Sequence, residues 1–227
     1  YGNGVFIIIS NGTGTTSSTS GSAYSTDGIN WIKSELPIAG TNNTWTTSAF
    51  GGGLFIAGKI STGTTDEYAT STDGINWTIR NLPLTQRPDL ISYGDGKFIV
   101  LTSNTVTYQY SFDGINWLIS TTGISNVWRN LDYLFDQFVL TGSANSAYFS
   151  TDGLTWVSKP FGGTGSWSGY AVAADDVKIV AFTLVTRVQV YYIATLYTLS
   201  SITPSLSSAP TLAYKGGQIL SSSVSTS

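Results

Sequence analysis

The chain has neither cysteine nor histidine. Without cysteine there is no disulfide and no thiolate chemistry. Without histidine the commonest general base and the commonest metal ligand at neutral pH are missing. Serine and cysteine triad mechanisms are thereby excluded. Charge is scarce too: Asp, Glu, Lys and Arg make up 10% of 227 residues, against about 25% in an average soluble domain. The net charge of -3 offers nothing to attract nucleic acid or anionic lipid. No apolar run approaches the roughly 20 residues of a membrane span. "VFIII" at 5–9 runs straight into Ser10, Asn11 and Gly12, so it reads as a buried strand. No cofactor, metal, nucleic acid or membrane insertion is expected.

What the chain does have is 41% hydrophobic and 13% aromatic residues, too many for a disordered polymer. Ser, Thr, Asn and Gly must then supply most of the wet surface. Such a surface suits a turn-rich all-β protein and an extracellular or particle-bound setting. The chain begins at Tyr1 without Met or a signal-peptide pattern, and is read as a processed product or one domain of a longer protein.

An internal repeat organises the sequence. An aromatic, a Gly-rich turn and an apolar run recur as "YGNGVFII" (1–8), "FGGGLFIAG" (50–58) and "YGDGKFIVL" (93–101). Weaker copies are "YLFDQFVLTG" (133–142), "ADDVKIVAF" (174–182) and "YKGGQILSS" (214–222). Starts at 1, 50, 93, 133, 174 and 214 give a period of about 40 residues, the length of four short strands and their turns in a propeller blade. In the third repeat the strands read as 97–103, 105–111, 116–121 and 127–133, with turn letters between them. No stretch keeps a 3.6-residue period, so almost no helix is expected. The prediction is one all-β propeller domain over 1–227, of about five four-stranded antiparallel blades closed by pairing of the terminal segments. The alternative is six blades with one partial, from 214.

Each of the first four repeats carries one heptad: "STDGINW" at 25–31 and again at 71–77, "SFDGINW" at 111–117 and "STDGLTW" at 150–156. Lying between strands, it is expected to be a hairpin turn. Gly28, Gly74, Gly114 and Gly153 would supply positive φ. The carboxylates of Asp27, Asp73, Asp113 and Asp152 would accept N–H groups of their own turn. Ser25, Ser71, Ser111 and Ser150 would add a hydroxyl contact across the hairpin. Trp31, Trp77, Trp117 and Trp156 would pack the hairpin onto its blade or neighbour. In the fifth repeat the aligned segment is "YYIATLY" (191–197), with Ile193 in place of Asp and Tyr197 in place of Trp. A catalytic set is not copied four times and then dropped, whereas a packing device can be.

The heptad resembles the Asp-box, or bacterial neuraminidase repeat, Ser-x-Asp-x-Gly-x-Thr-Trp, with one residue fewer between Asp and Gly. That resemblance implies a β-propeller with the box at the outer turn of each blade. Tandem copies of the shorter form, with "YGNGxF"-like strands between them, are similar to repeats of phage tail and fibre proteins.

Asp-box families include sialidases, which use three convergent arginines; this chain has Arg80, Arg87, Arg129 and Arg187 and no Arg-Ile-Pro segment near its start. Other glycosidases need two facing carboxylates. Asp132 with Asp136, or Asp175 with Asp176, could be proposed, but Asp95, Asp136 and Asp176 recur in one turn of their repeats and read as turn residues. Each heptad has a single Asp, too few for a calcium loop. The glycosylation patterns at Asn11, Asn42 and Asn76 carry little weight in a chain this rich in Asn and Thr.

The tryptophans outside the heptads offer a ligand-binding reading. Trp45 and Trp128 precede their repeat's leading aromatic by five residues, and Trp167 precedes Ala174 by seven. At the start of the innermost strand such rings could stack on a sugar, with Arg87, Arg129, Asn126 or Asn130 supplying hydrogen bonds. The competing reading is that they fill the packing between blades. The expected function is a non-catalytic virion protein, a tail or fibre adhesion module that binds a host-surface glycan or protein, at the virion surface or extracellular. Alternatives are a structural decoration or connector domain contacting other virion proteins or a homo-oligomer, an extracellular Asp-box scaffold and, last, a glycoside hydrolase.

Overall fold

A computed structural model describes residues 1–10, 21–37, 44–60, 66–124, 126–143 and 146–160, and the strand backbones within 172–192 and 214–219. The chain divides into two compact units, Tyr1–Ile193 and Ala194–Ser227. Every regular element among the described residues is a strand. The first sheet holds β1 (Phe6–Ser10), β2 (Gly21–Ser25) and β3 (Ile32–Glu35). The second holds β4 (Thr44–Gly51), β5 (Leu54–Ile60), β6 (Glu67–Ser71) and β7 (Thr78–Asn81). The third holds β8 (Leu90–Gly94), β9 (Lys97–Leu101), β10 (Thr107–Ser111) and β11 (Leu118–Thr121). The fourth holds β12 (Trp128–Leu134), β13 (Gln137–Gly142), β14 (Ser146–Ser150) and β15 (Val157–Pro160). The fifth shows β16 (Val172–Asp175), β17 (Lys178–Phe182) and β18 (Val188–Tyr192). In the second unit β19 (Tyr214–Lys215) and β20 (Gln218–Ile219) pair as a short hairpin where the partial repeat begins.

Strand order follows chain order and all pairing is antiparallel. The first strands β4, β8, β12 and β16 each lie against the next, so consecutive blades meet along their inner strands as in a β-propeller. The strand at 127–133 therefore opens the fourth sheet, pairing with β13, rather than completing the third repeat's own blade. β11 starts at Leu118, because Asn116 and Trp117 are still in the turn. Pairing of the terminal segments involves residues outside those described.

Two local features explain why the repeat begins with an aromatic and a Gly-rich turn. Among the described residues, four β-hairpins between first and second strands have φ > 0 at both central positions: Asn3 and Gly4, Gly52 and Gly53, Asp95 and Gly96, Phe135 and Asp136. Such type I′ turns match the strands' twist and favour Asn, Asp and Gly. Asp95 and Asp136 are thus turn residues. The glycine after the leading aromatic is a contact surface. A Cβ on Gly51 would sit 1.9 Å from Tyr93 Cγ, and one on Gly94 2.0 Å from Tyr133 Cγ. Each leading ring lies flat on the preceding blade's glycine.

Candidate functional site

The heptads form one hydrogen-bonded knot, repeated. In the second, Asp73 Oδ1 accepts the Ser71 hydroxyl (2.9 Å) and the N–H groups of Ile75 (2.9 Å) and Asn76 (2.7 Å). Its Oδ2 accepts the Asn76 side-chain amide at 2.7 Å. The Gly74 N–H donates to Ser71 Oγ at 2.8 Å. Asp27 and Asp113 repeat every one of these contacts within 0.1 Å. The serine thus bonds within its own turn, and not across the hairpin. Oδ1 thus takes three donors of its own turn and Oδ2 one, so the carboxylate is used mainly by the turn that carries it.

The same donors set the acidity. The Asn30 amide, followed by the N–H groups of Asn30 and Ile29, holds the Asp27 carboxyl far below the usual range. The Asn76 and Asn116 N–H groups lead the same effect at Asp73 and Asp113. In the fourth heptad Thr155 replaces Asn, and the Thr155 N–H leads in lowering Asp152 to about 2. The asparagines escaped the sequence reading, although three of four heptads carry one at the same position.

The knots also join blades. Gly114 has φ +71°, and a Cβ there would lie 2.7 Å from Leu54 and 2.9 Å from Ile56 on β5 of the preceding sheet. Tyr68 of that sheet donates to the Gly114 carbonyl at 3.1 Å and accepts the Trp117 indole N–H at 2.8 Å. The two rings meet edge to face, 5.5 Å apart. Tyr108 donates to the Gly153 carbonyl, and its ring is edge-on to Trp156. Between the first two sheets Ser22 stands where those tyrosines stand, and Trp77 itself donates to the Gly74 carbonyl at 3.2 Å. Trp31 remains exposed.

Antiparallel alternation puts the type I′ turns and the heptads at one end of the sheets. Asn3, in the first turn, accordingly donates to Gly53 and Thr72 of the second blade. The other ends of the strands, and the described connections between them, lie at the opposite end, and their sequences differ from blade to blade. The proposed ligand residues sit there. Trp45 and Trp128 are 0% and 2% exposed and cannot stack on a sugar. Trp45 packs with Leu36, Ala57 and Ala69 between the first two sheets. Trp128 packs with Tyr108, Leu131 and Tyr148 between the third and fourth, donating to Thr105 O at 3.2 Å. A register shift follows each ring, between Trp45 and Thr47 and between Trp128 and Asn130. The extra residue of such a bulge is turned off the regular pleat, which is why Arg129 is exposed beside a buried Trp128. Arg87 is half-exposed and paired with Asp89, Nε to Oδ1 3.4 Å. Asn126 and Asn130 point their polar groups inward, Asn126 to the Ser143 hydroxyl and Asn130 to Asp132. Burial raises the Asp132 carboxyl above its usual range, with the Asn130 amide opposing. Asp136 is exposed at its turn tip. Trp167, Asp176 and the glycosylation patterns at Asn11 and Asn42 lie outside the described residues.

No family model matches the chain, and no curated protein is similar to it in sequence. Solved structures are similar in fold. YCF48 bound to a D1 peptide is 17% identical with a TM-score of 0.59, over 83% of this chain and 66% of that one. Virginiamycin B lyase from Staphylococcus aureus is 13% identical at TM-score 0.54, over 84% and 75%. The WD40 β-propeller domain of Doa1 is 12% identical at TM-score 0.56, over 84% and 64%. The chain thus spans about two thirds of the length of the first of these. These likenesses carry the fold alone: the chain is a β-propeller.

Proposed function

We propose that the chain is a non-catalytic binding module of a phage or related virion, a tail or fibre propeller that engages a host-surface partner through the end of its sheets opposite the heptads. The observation that carries this reading is the division between the two ends. At one end each heptad carboxylate accepts three or four donors of its own turn, so the repeated motif reads as scaffold. At the other end the connections vary and a bulge turns out Arg129. The virion setting rests on the heptad's resemblance to phage tail and fibre repeats. With Trp45 and Trp128 buried, a protein partner is favoured over a stacked sugar. That a propeller of similar fold, YCF48, is found bound to a D1 peptide supports the choice of a protein partner.

The test is binding of the purified chain to a panel of bacterial cells, intact and protease-treated, alongside a glycan array. Saturable, protease-sensitive cell binding that weakens at least tenfold in a folded Arg129→Ala variant supports the proposal. Binding that survives protease and appears on the array replaces the protein partner with a glycan. Binding unchanged in Arg129→Ala and Arg87→Ala removes this end as the site.

A further inference from the structure

The four heptad blades are near-copies, so the places where one departs from its siblings are informative. The third departs twice at one spot. The heptad's second residue is Thr26, Thr72 and Thr151 elsewhere but Phe112 here, and its ring is 62% exposed. The outer strand that follows is the second departure. β3 carries Lys33 and Glu35, β7 carries Arg80, and β15 carries Lys159 and Pro160, whereas β11 reads Leu-Ile-Ser-Thr. Charges and proline on an outer strand are what keep its free backbone edge from pairing with another chain. β11 is the last strand of its sheet and lacks both.

Around that edge the surface is apolar. Leu118 is 51% and Ile119 53% exposed, and Ile115 is also exposed. A shallow cleft of about 200 Å³ opens between Phe112, Trp117 and Leu118, with Asp113 and Asn116 completing its lining. From 98 to 128 the only charged residue is Asp113, whose carboxylate is engaged by its own turn.

We propose that this edge is a self-association surface, on which a second copy of the chain docks with its β11 antiparallel to the first across a two-fold axis. An outer strand edge is complementary to its own copy in that arrangement, and residue i then meets residue j reciprocally. Charge selects the same partner. The chain as a whole carries -3, so two copies repel over most faces, whereas this face holds one charged side chain, Asp113, in the turn before β11, and antiparallel pairing sets the two copies of it at opposite ends of the contact. Four strand residues and four apolar side chains make less than the roughly 1,600 Å² of a standard interface, so the dimer is weak, with a dissociation constant on the order of 10–100 µM. This inference does not depend on the proposed host partner.

Sedimentation velocity of the full chain at about 10 and about 300 µM tests it, with Ile119→Lys and Phe112→Thr as variants. Both positions face solvent, and Thr is the residue of the sibling heptads, so at least the second variant is expected to fold as wild type by circular dichroism. The expected result is a shift from monomer to dimer in the wild type that is lost in Ile119→Lys and at least halved in Phe112→Thr. A wild type that stays monomeric at the higher concentration overturns the proposal and leaves the edge to an extended segment of another protein. A dimer that persists unchanged in both variants also overturns it, placing the contact elsewhere.

Discussion

At the residue scale, each heptad aspartate is defined by how completely its charge is used. The folded-state pKa values of Asp27, Asp73, Asp113 and Asp152 are lowered. Their stabilising effect is therefore present above the unfolded value of about 3.9 and is lost as pH falls through the folded values. Asp132 has the opposite sign. Its pKa is raised by burial, so its ionised form costs stability as pH rises above about 4. Thermal melts should thus fall steeply below pH 4, with the Asp152 contribution the first to be fully lost, at about pH 2. Asp132→Asn should raise the melting temperature at pH 7 and make no difference at pH 3, because an amide keeps an acceptor for Asn130. Equal melting temperatures at both pH values would remove burial as the cause. The aspartate, glycine and serine roles were legible in the letters of the heptad. The asparagine was not credited, because an Asn in a turn is common and only the folded carboxylate shows a fourth acceptor position to fill.

At the element scale, the propeller is assembled by turns with positive φ and by rings laid on glycines. The leading aromatic of one blade meets a glycine of the preceding one, Tyr93 on Gly51 and Tyr133 on Gly94. Gly94→Ala should therefore cost at least about 3 kcal/mol, by overpacking against a ring held in an inter-blade core. Asp136→Gly should do the reverse, raising stability by about 0.5–1 kcal/mol, since Asp136 holds φ +56° at an exposed turn. Urea denaturation of the two variants checks both signs. The Gly-rich turns are legible in "YGNG" and "YGDG", but the phase of the blades is not, since 127–133 reads as the end of the third repeat and opens the fourth sheet. The contacts between blades are not legible either: Tyr68 and Gly114 are 46 residues apart, and no local pattern announces a partner at that distance. By the same limit Trp45 and Trp128 stay open in the sequence between a ligand and the packing of blades, and their burial decides for packing. A tryptophan at the start of an inner strand serves a ligand or the next sheet equally well by sequence.

At the scale of the whole molecule, the two ends of the sheets divide the work. The heptad end is closed by its own hydrogen bonds and by tyrosines from the preceding blade. The opposite end carries the connections that vary, and one blade's outer edge is left uncharged. Variants at Arg129 should accordingly alter partner binding at unchanged melting temperature, while heptad variants should alter stability and leave the binding of the folded fraction intact. A scarcity of charge also means that stability should change little between low salt and about 0.5 M salt, where surface pairs are screened.

The measurement that tests this account most directly is the urea unfolding midpoint of Asp73→Ala against wild type. Removing Asp73 leaves the Ile75 and Asn76 N–H groups and the Ser71 hydroxyl without their acceptor. The turn is partly solvated, so the loss should be about 1–2 kcal/mol, with the midpoint lowered at an unchanged slope. A midpoint equal to or above wild type would contradict the account, because a carboxylate held for a ligand rather than for its own turn can be removed without loss of stability.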